Sequence, residues 1–120
     1  HAPSAITGIR QYFELHITNA FATHGEAYPH GCLITNASVG LDAMDEPLQN
    51  TIRQSFTELE QLFYEKLKKG QETGEISPDK DIKMLSFLLL NLNHSINVMA
   101  RIQSDSEKVR GMMNAVIESL

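Results

Sequence analysis

Between Ser77 and Ile102 the chain is apolar on two sides of one helix, and this restricts its fold more than any other feature. Ile82, Leu85, Leu89, Leu92, Ile96 and Met99 recur at three- and four-residue spacing and form one stripe. Met84, Leu88, Asn91, Ser95, Val98 and Ile102 form a second stripe around the side of the same helix. A surface helix buries one face; a helix with two apolar faces must be covered twice. The segment that follows adds Val109, Met112, Met113, Val116, Ile117 and Leu120, again a wide face for one neighbour. The preceding helices offer little cover for so much surface. A partner chain over the second stripe is therefore expected, with intrachain core for both stripes as the alternative.

The rest of the chain also reads helical, with no alternating strand pattern of useful length. A first helix over about Ser4 to Thr23 places Ile6, Ile9, Phe13, Ile17, Ala20 and Phe21 on one face. The loop Gly25-Glu26-Ala27-Tyr28-Pro29-His30-Gly31 ends it, and a short helix follows over about Cys32 to Leu41. Asp45 and Pro47 supply a cap and a first-turn proline for a helix over about Pro47 to Lys69. That helix carries Leu48, Ile52, Phe56, Leu59, Phe63 and Leu67 on one face. Lys66, Lys68 and Lys69 fall in its expected last turn, and Gly70 is the expected stop. Ser77-Pro78-Asp79 is expected to open the fourth helix, and a capping box, Ser104-x-x-Glu107, the fifth. The expectation is a single all-α domain, a five-helix bundle.

Charge and motif searches narrow the function mainly by exclusion. Ten Lys and Arg against fifteen Asp and Glu leave a net charge of -5, the wrong balance for gripping phosphates. The single Cys32 cannot form an internal disulfide, which fits a reducing cytoplasm. Phe87-Leu88-Leu89-Leu90 is broken at once by Asn91, so no membrane span is expected. His16, His24, His30 and His94 have no mutual helical spacing that would make a metal site. His94 faces away from the Leu85-Leu89-Leu92 stripe and either lines a groove or meets solvent. No nucleophile elbow, phosphate loop or metal-ligand pair points to an enzyme, and no cofactor is implied. Cys32, at the start of a helix, has the setting of a lowered thiol pKa and hence of an electrophile or oxidant sensor. The plainer reading is a small buried hydrophobe.

Three segments, in this order and spacing, resemble one family. They are Gly31-Cys32-Leu33-Ile34-Thr35-Asn36-Ala37, then Gly70-Gln71-Glu72-Thr73-Gly74-Glu75-Ile76, then the Leu-rich run ending Val98-Met99-Ala100-Arg101. They are similar to the C-terminal regulatory half of TetR-type transcriptional regulators. The resemblance implies a cytoplasmic homodimer whose last two helices pair with their copies in a four-helix interface. Of the two stripes, Met84, Leu88, Asn91, Ser95, Val98 and Ile102 are the ones expected there, because their small centre suits close packing, with Val109, Met112, Met113 and Val116 from the last helix. Ser95 stands where relatives often carry Gly, a small residue that permits close helix approach.

The resemblance also implies a cavity for a small hydrophobic effector. Phe13, Phe21, Phe56 and Phe63 would form its walls with Ile17, Leu59, Leu89 and Leu92, while His16, Asn36 and Tyr64 would orient the ligand. By periodicity alone the same aromatics read as core. Residues 1–120 would then be the regulatory domain of a repressor whose effector releases operator DNA, and the abrupt start His1-Ala2-Pro3-Ser4 suggests that a helix-turn-helix domain of roughly 50 to 70 residues lies upstream. DNA would be bound only through that domain. The rivals are a helical dimerisation module that takes no ligand, a small helical enzyme, and a thiol sensor working through Cys32.

Overall fold

Four helices make up most of the described chain, which in this computed structural model comprises residues 4–22, 44–102 and 105–120. They are α1 (Ala5–Ala22), α2 (Glu46–Glu72), α3 (Ile82–Arg101) and α4 (Ser106–Glu118). No strand occurs among the described residues, so the all-α expectation holds. The short helix expected over about Cys32 to Leu41 lies outside them, and with it Cys32 and Asn36.

Each helix start is set by a side chain that takes backbone N–H groups the helix cannot satisfy itself. At α1 the Ser4 hydroxyl accepts the Thr7 N–H at 3.0 Å. The Glu75 carboxylate, from the loop after α2, accepts the Ala5 and Ile6 N–H groups at 2.8 and 3.1 Å. An acidic group at a helix N-terminus also suits the helix dipole, so this contact fastens the beginning of α1 to a distant loop. At α2 Asp45 caps as expected, accepting the Leu48 N–H at 3.0 Å, with Pro47 in the first turn.

Three boundaries differ from expectation. α2 runs through Gly70 to Glu72, so of the three lysines only Lys69 falls in its last turn. Gly70 is buried, and a Cβ there would lie 2.7 Å from Ile76 Cδ1 and 3.3 Å from Ala5 Cβ. The glycine permits a close approach rather than a stop: Ile76, fully buried, plugs the space beside it. The reversal falls at Gly74, whose φ of 82° is the left-handed conformation that glycine adopts without strain. Ser77 to Lys80 form a turn closed by the Lys80 N–H donating to the Ser77 carbonyl. α3 therefore begins one turn later than Ser77-Pro78-Asp79 suggested, with Asp81 accepting the Met84 N–H at 3.2 Å. At α4 the cap is Asp105, which accepts the Glu107 N–H at 2.9 Å, while Ser104 lies outside the described residues.

α1 and α3 each pack against all the other described helices. Ile9, Phe13 and Ile17 of α1 are fully buried and meet Phe63 and Leu67 of α2, Leu89, Leu92 and Ile96 of α3, and Val109, Met113 and Ile117 of α4. The first apolar stripe of α3 thus supplies the core, with Leu85 and Met99 packed at its edge. Arg110 donates to Glu14 at 3.1 Å and Arg10 donates to Asn114, tying α4 to α1 through half-buried side chains.

The second stripe of α3 is left open in the chain. Met84 is 61% exposed, Leu88 40%, Val98 41% and Ile102 65%; Asn91 is also exposed and Ser95 half-buried. Phe87, a member of neither stripe, adds to this face at 52%. Val109 and Met113 need correction as interface residues. They turn inward and are almost or wholly buried in the chain's own core, so they present no surface to a partner. Met112 and Val116, on the rim of the same helix, stay partly open.

A candidate ligand site

Polar side chains in a helix core cost free energy unless they are paired, so those present point to where the core has another task. Asn93 and Asn97 are buried on α3, 3% and 0% exposed, in an otherwise apolar stripe. Tyr12 of α1 donates its hydroxyl hydrogen to Asn93 Oδ1 at 2.8 Å. His16, one turn on, lies parallel to the Tyr12 ring at 5.9 Å between centroids and 11° between planes. Its ring hydrogen-bonds the Asn97 side chain and the Asn93 backbone. Across α3, His94 stacks on Phe56 of α2 at 4.1 Å.

These groups surround a hollow of about 180 Å³ between α1, α2 and α3. Its described lining is Tyr12, His16, Ser55, Phe56, Leu59, Asn93 and His94. His16, Phe56 and Leu59 of the expected ligand residues are thereby brought together. Phe13, Ile17, Phe63, Leu89 and Leu92 lie behind them as core: Phe13 stacks on Phe63 at 5.4 Å, and Tyr12 sits edge-on to both rings. Phe21 is half-buried against the core and does not line the hollow, and Asn36 is outside the described residues. Of the two fates open to His94, the groove is the one found.

Tyr12, Ser55 and Asn93 are the lining members that the spacing of the sequence did not single out, and Asn97 behind them is another such residue. One signal was present: Ser86, Asn93 and Asn97 recur at intervals of seven and four in an apolar helix, one buried polar line among leucines. The approach of His16 to His94, by contrast, joins positions too far apart in sequence for any helical spacing to reveal.

A larger hollow of about 440 Å³ lies between α2 and α3, lined by Thr57, Glu60, Gln61, Tyr64, Lys83 and Ser86. Its charged members are at least partly open to solvent, and its one buried polar group, the Ser86 hydroxyl, already donates to the Ile82 carbonyl. The smaller hollow holds the more specific chemistry, because its polar groups are desolvated. Among the described residues no group of three His, Cys, Asp or Glu could hold a metal ion. No helix among them is long and apolar enough to cross a membrane.

Burial pushes the pKa of His16 down, against the opposing pull of its bonds to Asn97 and Asn93. His94 is also pushed down, by burial first and then by repulsion from His16. Burial raises the Tyr12 phenol. Both imidazoles are therefore held neutral in the fold at a pH where an unfolded histidine begins to charge. The unfolded chain then binds more protons than the folded one below about pH 6.5, so stability is full above that value and falls as pH drops through it. The expected result is a melting temperature that declines from about pH 7.5 to about pH 5.5, with a shallower decline in His94→Gln. A melting temperature that is flat or rises toward acid contradicts the buried neutral pair.

A family model described as "Tetracyclin repressor-like, C-terminal domain" matches residues 9–116. The fold is similar to a solved structure of a cysteine mutant of the TetR family transcriptional regulator CifR, complexed with 26-bp double-strand operator DNA. The TM-score is 0.80 at 20% identity, covering 98% of this chain and 60% of that one. A second CifR cysteine mutant with operator DNA gives a TM-score of 0.79 at 21% identity, covering 98% and 59%. The chain thus spans about three-fifths of the length of these structures. No curated protein matches it.

Proposed function

The chain belongs to the family of tetracyclin repressor-like C-terminal domains, and on that premise we propose that it is the effector-binding and dimerising half of a cytoplasmic transcriptional repressor. The family is one of regulators rather than enzymes. The observation that carries the proposal is the hollow between α1, α2 and α3, where desolvated polar groups of Tyr12, His16 and Asn93 face apolar walls of Phe56 and Leu59. Mostly apolar walls with a few convergent polar groups are the composition of small-molecule sites in helical bundles. A module that only dimerises has no use for such a hollow, since buried polar groups beside a void weaken a core.

In this reading the effector acts by differential affinity: it shifts the domain only as far as it binds one placement of α1 better than another. Tyr12 and His16 report ligand contact directly to α1. The other end of α1 is held by Glu75, so tilting at the pocket would be levered about that clamp toward a DNA-binding domain joined upstream. Dimerisation is assigned to the open stripe of α3, because a row of exposed large apolar side chains on one helix face marks an interaction surface. The thiol-sensor alternative rests on Cys32, which lies outside the described residues.

Ligand binding to the folded state alone must raise stability, by about 2.7 kcal/mol at a ligand concentration a hundred times Kd. A thermal-shift panel of chemically varied small apolar molecules is expected to include at least one that raises the melting temperature by about 10 °C. No shift across the whole panel counts against an effector site.

A further inference from the structure

The hydrogen-bonding capacity of His16, which lines the pocket, is visibly incomplete. Its Nε2 is buried, and no group among the described residues reaches it. The bonds to the Asn97 side chain and the Asn93 backbone therefore fall on the other ring nitrogen, Nδ1. A backbone carbonyl can only accept, so Nδ1 carries the proton and donates it. A neutral imidazole has one N–H; Nε2 is then a bare lone pair, a hydrogen-bond acceptor aimed where no water-exposed surface serves it. The Tyr12 hydroxyl, a donor on the same lining, is already committed to Asn93 Oδ1. A buried acceptor left without a partner is costly, and a ligand donor would remove that cost.

The remaining walls decide the rest of the ligand. Among the described lining residues there is no carboxylate to neutralise a cation, and no Lys or Arg to neutralise an anion. An anion would also set its own lone pairs against that of Nε2. The apolar surface is supplied by Phe56, whose ring already stacks on His94, and by Leu59. The volume of about 180 Å³ is of the size that accepts a single ring, since a cavity of about 150 Å³ holds benzene.

We propose that this hollow takes a small neutral molecule of about one aromatic ring bearing a hydroxyl group, with the hydroxyl donating to His16 Nε2 and the ring lying against Phe56 and Leu59. The proposal rests on the reading of the hollow as an effector site and adds the ligand's chemical class. Phenols are the simplest molecules that meet every requirement. The Asn97–His16–ligand chain of bonds then makes the choice of donor over acceptor a property of the protein, because Asn93 and Asn97 hold the imidazole in one tautomer.

The test compares phenol, anisole, toluene and benzoate on the 120-residue chain near pH 7.5, with affinities read from NMR chemical-shift titrations. Phenol is expected to bind about tenfold more tightly than anisole or toluene, which lack the donor, and benzoate not to bind detectably. His16→Leu is expected to bring phenol down to the level of toluene. Equal binding of phenol, anisole and toluene overturns the hydroxyl contact while leaving the effector site standing. Tighter binding of benzoate overturns the neutral-ligand requirement. Failure of all four to bind overturns the proposal and counts against the effector site as well. A folded His16→Leu protein that keeps the phenol preference refutes the role of Nε2; if that variant does not fold, the four-ligand comparison on the unaltered chain still decides.

Discussion

Leu88→Arg is expected to convert the proposed homodimer into a monomer, read in sedimentation equilibrium as a fall from twice 13.4 kDa to 13.4 kDa. Leu88 lies at the centre of the open stripe of α3, 40% exposed, with Met84 on one side and Val98 on the other. In the isolated chain an arginine there keeps its head in water, and surface substitutions of this kind change stability by about 0.5 kcal/mol or less. In a two-fold interface the same change appears on both copies, so two unpaired charges are brought together and desolvated. An unpaired interfacial charge costs about 2–5 kcal/mol, which weakens association roughly thirtyfold or more. Met113→Arg on α4 is the contrasting case. Met113 is fully buried in the chain's own core, and a charge there should unfold the domain rather than merely separate it. A Leu88→Arg protein that still sediments as a dimer would move the interface away from this face.

Phe13→Ala is expected to destabilise the domain by about 3–5 kcal/mol, lowering the melting temperature by roughly 10–20 °C. Phe13 is fully buried, stacked on Phe63 at 5.4 Å and braced edge-on by Tyr12 at 5.1 Å. Removing the ring forfeits its transfer from water and leaves a cavity that a helix packed against three others cannot close. In urea the unfolding midpoint should fall with little change in slope, since the surface exposed on unfolding is nearly the same. The loss should also reach the proposed ligand site: Tyr12 leans on Phe13 and Phe63, and it is Tyr12 that holds Asn93 and covers His16. A change of less than 1 kcal/mol would mean that the aromatic stack is not the centre of the core.

Several parts of this organisation are legible from residues alone, and the reason is that they are local. Asp45 and Pro47 mark the start of α2 correctly, because a cap is a contact between neighbours three residues apart. The Ile9-Phe13-Ile17 and Leu89-Leu92-Ile96 stripes are buried as their spacing predicts. Choices between adjacent signals were less secure. Ser77 and Asp81 are both competent caps, as are Ser104 and Asp105, and the chain uses the second of each pair where the cap is described. Gly70 has the composition of a stop and serves instead to admit Ile76, a requirement set by a side chain outside the helix.

The candidate ligand site shows the same division more sharply. His16, Phe56 and Leu59 were expected and do line the hollow, but Tyr12, Asn93 and His94 complete it. Periodicity is a property of one helix: it establishes that a segment is helical, which residues share a face, and that α3 has one apolar stripe too many for itself. It does not establish which neighbour each face meets. Val109 and Met113 were inseparable from Met112 and Val116 on a wide apolar helix until α1 and α3 covered the first two. Nor could spacing bring His16 beside His94, since they stand on different helices and meet only when α1 packs on α3. Helix content and amphipathic faces follow from short-range backbone and side-chain preferences written along the chain. The pocket, the open face and the unpartnered nitrogen arise from the packing of helices distant in sequence, where burial assigns each polar group a partner or leaves it without one.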